Sequence, residues 1–125
     1  GLLLRMQRVA KINKVMTSKD SLLSAFDSLI MYTEQHFENE EKLMEKMDYP
    51  ELDYHQKLHL ELLENLRTYR HEFVGSVYGR FPSSVFDFFK NWLLSHIQIV
   101  DQRYADFYFE QQKKQKEKES ANSPD

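Results

Sequence analysis

Apolar residues recur along this chain at intervals of three and four, the period of a helix buried on one face. Leu2, Met6, Val9, Ile12 (or Asn13) and Met16 form the first such line and predict a helix over 2–16. Thr17-Ser18-Lys19-Asp20 interrupts it, and Ser18 or Asp20 can cap the next helix. That helix is predicted from Ser21 to about Met47, with Leu22, Phe26, Leu29, Tyr32 (or Thr33), His36, Glu40, Leu43 and Met47 on one stripe. Asp48-Tyr49-Pro50 ends it, because proline cannot continue a helix and restricts the residue before it. A third helix is predicted from Glu51 to about Val74. Its inner face carries Tyr54 (or His55), Leu58, His59, Leu62, Leu63, Leu66 and Tyr69. Gly75, Gly79 and Pro82 make the next stretch a loop. Ser83 or Ser84 then caps a fourth helix, whose buried side is Val85, Phe88 (or Phe89), Trp92, Leu93, His96, Val100, Tyr104 and Phe107.

Four helices with short connections predict an all-α, up-down-up-down four-helix bundle over residues 1–110. Only three Gly and three Pro punctuate the 125 residues, which favours long helices over many short strands. From Gln111 the composition turns to Gln, Lys and Glu. Residues 111–125 therefore read as a charged helix extension that frays into a disordered tail from Ala121, or as the start of a linker. The first helix opens with no capping residue, and its second position is already apolar. It reads as a helix cut inside its natural length.

Composition narrows the chemistry. A hydrophobic content of 41% suffices for a packed core. The absence of cysteine excludes a disulfide framework, thiolate zinc sites and cysteine-held iron–sulfur clusters. It also suits a reducing, cytoplasmic compartment. A net charge of −3 gives no reason to expect a nucleic-acid partner. No apolar run reaches the roughly 20 residues that a membrane span needs. The opening Gly1 to Arg5 is too short for a signal peptide.

What remains to be explained is the polar residues on the inner faces. His36 and Glu40 are one helical turn apart, as are His55 and His59. His96 and Asp101 are separated by five, about 140° round an α-helix. Carboxylates and imidazoles facing an apolar core are costly when unpaired. A bound cation removes that cost. Imidazole with carboxylate suits iron, zinc, copper or nickel better than magnesium or calcium. One such pair alone is usually a solvated helix face, stable without metal. Three pairs on three successive helices shift the weight to a metal site. His55, His59 and His96 can reach one metal, and His36 a second. Glu40 and Asp101 are placed to bridge them. His71, among Arg67, Arg70 and Glu72, reads as exposed.

These residues resemble the hemerythrin family, especially its bacterial hemerythrin-like domains. The markers are His36-Phe37-Glu38-Asn39-Glu40-Glu41 followed by Met44, the Tyr49-Pro50 turn, His55-Gln56-Lys57-Leu58-His59, and His96 with Asp101. The resemblance implies a four-helix bundle around two iron ions, an oxo-bridged di-iron centre that binds dioxygen reversibly. It implies that His55, His59 and His96 hold one iron, that His36 holds the other, and that Glu40 and Asp101 bridge. Dioxygen would bind at the iron with fewer protein ligands. The family carries a further histidine on the first helix, and none precedes His36 here. Either the natural chain continues upstream and supplies it, or this chain is a variant whose second iron binds weakly. Gln7 is a poor substitute ligand. Trp92 and Leu93, one turn before His96, are the first candidates for an apolar pocket lining, followed by Phe37, Ile97 and Leu62.

The function expected from the resemblance is oxygen binding, delivery, or oxygen and redox sensing, rather than catalysis. The charged stretch after Gln111 favours an attached signalling domain, and the oligomeric state is open, with a homo-oligomer allowed. Two alternatives belong to other classes. One is a di-iron oxidase, peroxidase or nitric-oxide-handling enzyme. Ferritin-like di-iron enzymes use mostly carboxylates with Glu-x-x-His motifs. Here histidine dominates and the spacing is His-x-x-x-Glu. The other alternative is a metal-free helical interaction module.

Overall fold

A computed structural model describes residues 1–15 and 18–121. Met16 of the first predicted stripe, Thr17 of the first break, and 122–125 of the predicted tail lie outside the described residues. Helix α1 spans Leu2–Val15, α2 Lys19–Lys46, α3 Leu52–Gly75 and α4 Ser83–Ser95. A six-residue π-helical turn, His96–Asp101, continues α4 directly into α5, Gln102–Ala121. The last three pieces form one rod, so the architecture is the expected four-helix bundle. Around it α1 packs on α2, α2 on α3, α3 on α4, and α4 on α1. There is no strand among the described residues.

Local chemistry accounts for the helix ends. Ser18 caps α2, its hydroxyl accepting from the Ser21 N–H at 3.3 Å. At the other end Asp48 takes a left-handed conformation with φ of 52°. The Asp48 N–H then donates to the Glu45 carbonyl, and the Tyr49 N–H to the Met44 carbonyl at 3.0 Å. This is a Schellman ending, and the Met44 and Tyr49 side chains on either side of it are both buried. The helix is therefore closed at Asp48, before Pro50 can break it. The expected serine cap of the fourth helix does not form. Pro82 occupies the cap position of α4, with no side-chain hydrogen bond to its first turn.

The end of the bundle away from the histidines is built from aromatic rings. Phe81 stacks on Phe26 at 4.2 Å and on Phe73 at 4.1 Å. The loop that carries Phe81 is held by buried Asn13. Its amide donates to the Phe81 carbonyl at 3.0 Å and accepts from the Phe81 N–H at 2.8 Å. That pairing explains why Asn13, rather than Ile12, continues the buried line Leu2, Met6, Val9 of α1. A buried amide costs least when both of its ends are matched.

In α2 the buried line is Leu22, Phe26, Leu29, Thr33, Phe37 and Met44. The expected stripe placed His36, Leu43 and Met47 on this face. Leu43 is 56% exposed instead, and the His36 side chain is 43% exposed. The reason is the step from Thr33 to Phe37, four residues rather than three. It rotates the inward face past His36 and on to Phe37, then to Met44. In α3 the choice between Tyr54 and His55 falls to His55, which is fully buried while Tyr54 is exposed.

Candidate metal centre

Three imidazoles meet in the interior between α2, α3 and the π turn. His55 and His59 come from consecutive turns of α3, and both are buried. His96 opens the π turn. Its Nε2 lies 3.0 Å from the His55 Nε2 and 3.1 Å from the His59 Nε2. Glu40 reaches in from α2, with Oε1 2.8 Å from the His55 Nε2 and 3.6 Å from the His59 Nε2. One ligand atom each from Glu40, His55, His59 and His96 falls within 4.8 Å of all the others.

The π turn brings in the fifth group. In an α-helix Asp101 would be well round from His96. In a π turn each N–H pairs with the carbonyl five residues back, so residues five apart come into register. Asp101 Oδ1 accordingly lies 3.1 Å from the His96 Nε2 and 3.3 Å from the His55 Nε2. The spacing of five, awkward for an α-helix, is the local record of this turn.

The donor set fits a cation. Ligand nitrogens about 2.1 Å from one ion lie about 3.0 Å apart when its bond angles are near 90°. The Nε2 separations match that figure. Nitrogen lone pairs facing one another so closely repel unless a proton or a cation lies between them. Asp101 Oδ1 is buried and has no hydrogen-bond partner, as is the His55 Nδ1. An acceptor orphaned beside two imidazole nitrogens is free to act as a ligand.

Electrostatics point the same way. Burial, aided by the neighbouring His55 and His96, pushes His59 down to about 2, so its ring is neutral. Burial alone would also lower His55. The Asp101 and Glu40 carboxylates override it and raise His55 to about 9. Burial works to raise Asp101, but His55 and His96 hold its carboxyl well below the usual range. The two carboxylates thus favour positive charge at this point of the interior.

His36 stands apart. Its Nε2 is 3.5 Å from Glu40 Oε2, the oxygen opposite the one facing His55. Glu40 therefore straddles two regions, with three imidazoles on one side and a single, half-exposed imidazole on the other. Tyr32 and Phe37 are the aromatic neighbours of His36, with centroids 6.2 and 6.1 Å away.

The expected apolar lining divides. Phe37 lies flat on His59, with centroids 3.7 Å apart and planes at 3°. Trp92 stacks on His96 at 4.5 Å and 12°. Leu62 and Leu93 are buried one turn from His59 and His96. Ile97 is 45% exposed and does not line the interior, because it follows inward-facing His96 directly and is turned outward. His71 is exposed, as expected.

Glu41, adjacent to Glu40, escaped the reading of spacings. Its Oε2 lies 3.0 Å from the His59 Nδ1. Burial raises its carboxyl above the ordinary value, with the Gln56 side-chain hydrogen bond pulling the other way. Only the doubled glutamate could have signalled it. One turn past Asp101, the Tyr104 hydroxyl lies 3.5 Å from the Met47 sulfur.

A four-helix bundle with histidines and carboxylates gathered in its interior defines a class, the helical-bundle metal proteins. Residues 3–108 match the family model of the Hemerythrin HHE cation binding domain. The chain belongs to the hemerythrin family. It is 32% identical over 80 residues to a bacteriohemerythrin of Stenotrophomonas maltophilia (strain R551-3), covering 64% of this chain and 51% of that protein. It is 31% identical over 84 residues to a myohemerythrin of Sipunculus nudus, covering 67% and 63%. A myohemerythrin of Theromyzon tessulatum is 26% identical over 91 residues, covering 73% and 69%. The matched region thus spans about half of the bacteriohemerythrin and under two thirds of the first myohemerythrin. No solved structure matches. Among the described residues no helix is long and apolar enough to cross a membrane.

Proposed function

We propose that this bundle holds two iron ions and binds dioxygen reversibly, for delivery or for oxygen and redox sensing in the cytoplasm. The carrying observation is the straddling carboxylate. Glu40 presents Oε1 to the three-histidine cluster at 2.8 Å and Oε2 to His36 at 3.5 Å. A carboxylate so placed can serve two ions at once. His55, His59 and His96 would hold the first, His36 the second, and Glu40 with Asp101 would be shared. When bound, the iron pair supplies the electrons and the open coordination position that reversible dioxygen binding requires.

The chain's own residues do the rest. Phe37, Trp92, Leu62 and Leu93 exclude water from the imidazoles. Asp101 and Glu40 offset the charge of the ions. Apart from the candidate ligands and Glu41, this interior offers no carboxylate or imidazole among the described residues for acid–base chemistry, which favours binding over an oxidase or peroxidase reaction. We assign residues 1–110 to the bundle domain and 111–125 to a charged extension. Past Phe107 only Gln111 in α5 is even partly covered, and that stretch is available to carry a change toward a further domain.

Reconstitution with ferrous iron under argon, followed by exposure to air, tests the reading. Near-ultraviolet and visible bands that appear with dioxygen and fade when argon returns are expected. Fewer than one iron per chain would sink it, and would favour a metal-free interaction module. Bands that develop irreversibly with turnover of a reductant would favour an oxidase.

A further inference from the structure

We propose that Glu41 is the positioning residue for His59: its carboxylate accepts a hydrogen bond from the Nδ1–H and so keeps the Nε2 lone pair aimed into the cluster. The inference rests on the metal-site reading and deepens it.

A neutral imidazole has one N–H, and it sits on one nitrogen or the other. With the proton on Nε2, His59 would point a hydrogen at the Nε2 of His96, 3.1 Å away, and offer nothing to an ion. With the proton on Nδ1, the inward nitrogen is a donor of electrons. The partner of the outer nitrogen decides between these forms. That partner is Glu41 Oε2, 3.0 Å from the His59 Nδ1.

The surroundings make the choice count. Phe37 covers one face of the His59 ring at 3.7 Å with planes 3° apart, so tilting the ring toward another partner would break that stack. Glu41 is 22% exposed where Glu38, one turn earlier, is 58% exposed. It is held inward across the α2–α3 seam. The contrast with His55 is informative. The His55 Nδ1 is buried with no partner, and carboxylates approach that ring only from the inner side. The consecutive glutamates thus have different jobs. Glu40 faces the inner nitrogens, and Glu41 grips an outer one. A carboxylate behind a ligating imidazole fixes its tautomer and raises its basicity.

The test begins with metal-free protein, labelled with nitrogen-15 in histidine. Ring couplings in the wild type should show His59 protonated on Nδ1. Glu41→Gln keeps an accepting oxygen and should retain that form. Glu41→Leu keeps the bulk but cannot accept, and should shift His59 toward the Nε2-protonated form. Zinc(II) is then the probe of affinity. Glu41→Leu should bind it about 10- to 100-fold more weakly, and Glu41→Gln should recover part of the loss. Nε2-protonated His59 in the wild type overturns the proposal. So does an unchanged tautomer with unchanged zinc affinity in Glu41→Leu. If Glu41→Leu does not fold, the wild-type and Glu41→Gln tautomers still decide. Wild-type protein that takes up no zinc, iron or cobalt refutes the metal-site reading, while the tautomer remains measurable.

Discussion

The two sides of Glu40 are built differently. On the inner side three imidazoles are sealed, two from one helix and one from the π turn, with aromatic rings flat against His59 and His96. On the outer side a single imidazole, His36, is 43% exposed and has no ring stacked closely on it. The inner side is preorganised, because its imidazoles are already held in place by packing. The outer side must be organised by whatever binds there. Preorganisation turns directly into affinity, since little ordering cost is left to meet at binding. The expected order of loading is therefore inner before outer.

Loading itself should give the largest effect. A ligand that binds only the folded state at a thousand times its Kd stabilises by about 4 kcal/mol. For a domain of this size that is on the order of 10 °C in Tm. Calorimetry during titration with cobalt(II) or ferrous iron should show most of the rise with the first equivalent and little with the second. Equal rises for the two would erase the difference between the sides.

Second in size is His59→Ala. Four-ligand metal sites are worth about 10–16 kcal/mol, so one imidazole carries about 3 kcal/mol, on the order of 100-fold in affinity. Competition with a chelator, read by metal analysis, should show the first equivalent weakened by that amount. Unchanged affinity would remove His59 from the inner set.

A buried tyrosine lies near this end of the bundle. Tyr49 packs on Tyr104 at 5.1 Å, one turn past Asp101. Burial and a hydrogen bond to Glu51 raise Tyr49 to about 12. The unfolded chain ionises this group near 10 and the folded chain only near 12, so the folded state keeps the proton longer. Stability from this source is complete below pH 10 and is lost as pH rises toward 12. By pH 11 the loss should be about 1 kcal/mol. Denaturant melts between pH 9 and 11 should show that decline in the wild type and a flatter profile in Tyr49→Phe. Parallel profiles would show that Tyr49 is not the source of the decline.

Much of this molecule was legible in the sequence. The four helices follow from the apolar period and from Ser18, Asp48 and the Gly75–Pro82 stretch. The pairs at spacing four put His55 with His59 without any tertiary knowledge. Three things were not legible, each for a physical reason. The pairing of Asn13 with the Phe81 backbone joins residues 68 apart, and only packing creates it. The outward turn of His36 depends on a single step of four rather than three, and periodicity over a long helix cannot resolve that. The π turn changes what a spacing of five means. His96 and Asp101 look mismatched until the helix is known to widen there.

His36→Ala should have the smallest effect, and it separates the two sides most cleanly. His36 approaches only the outer oxygen of Glu40, at 3.5 Å, and lies on a half-exposed helix flank. Truncating such a residue ordinarily changes stability by less than about 0.5 kcal/mol. Glu40 Oε1 stays 2.8 Å from His55 by virtue of α2 and α3, not of His36. The first equivalent of metal should therefore bind within about twofold of wild type, a difference of about 0.4 kcal/mol. The second equivalent should disappear, and any spectral change that needs two ions should disappear with it. If His36→Ala instead weakened the first equivalent as much as His59→Ala does, Glu40 would be held by His36 rather than by its helix. The two sides would then be one cooperative unit, loaded together or not at all.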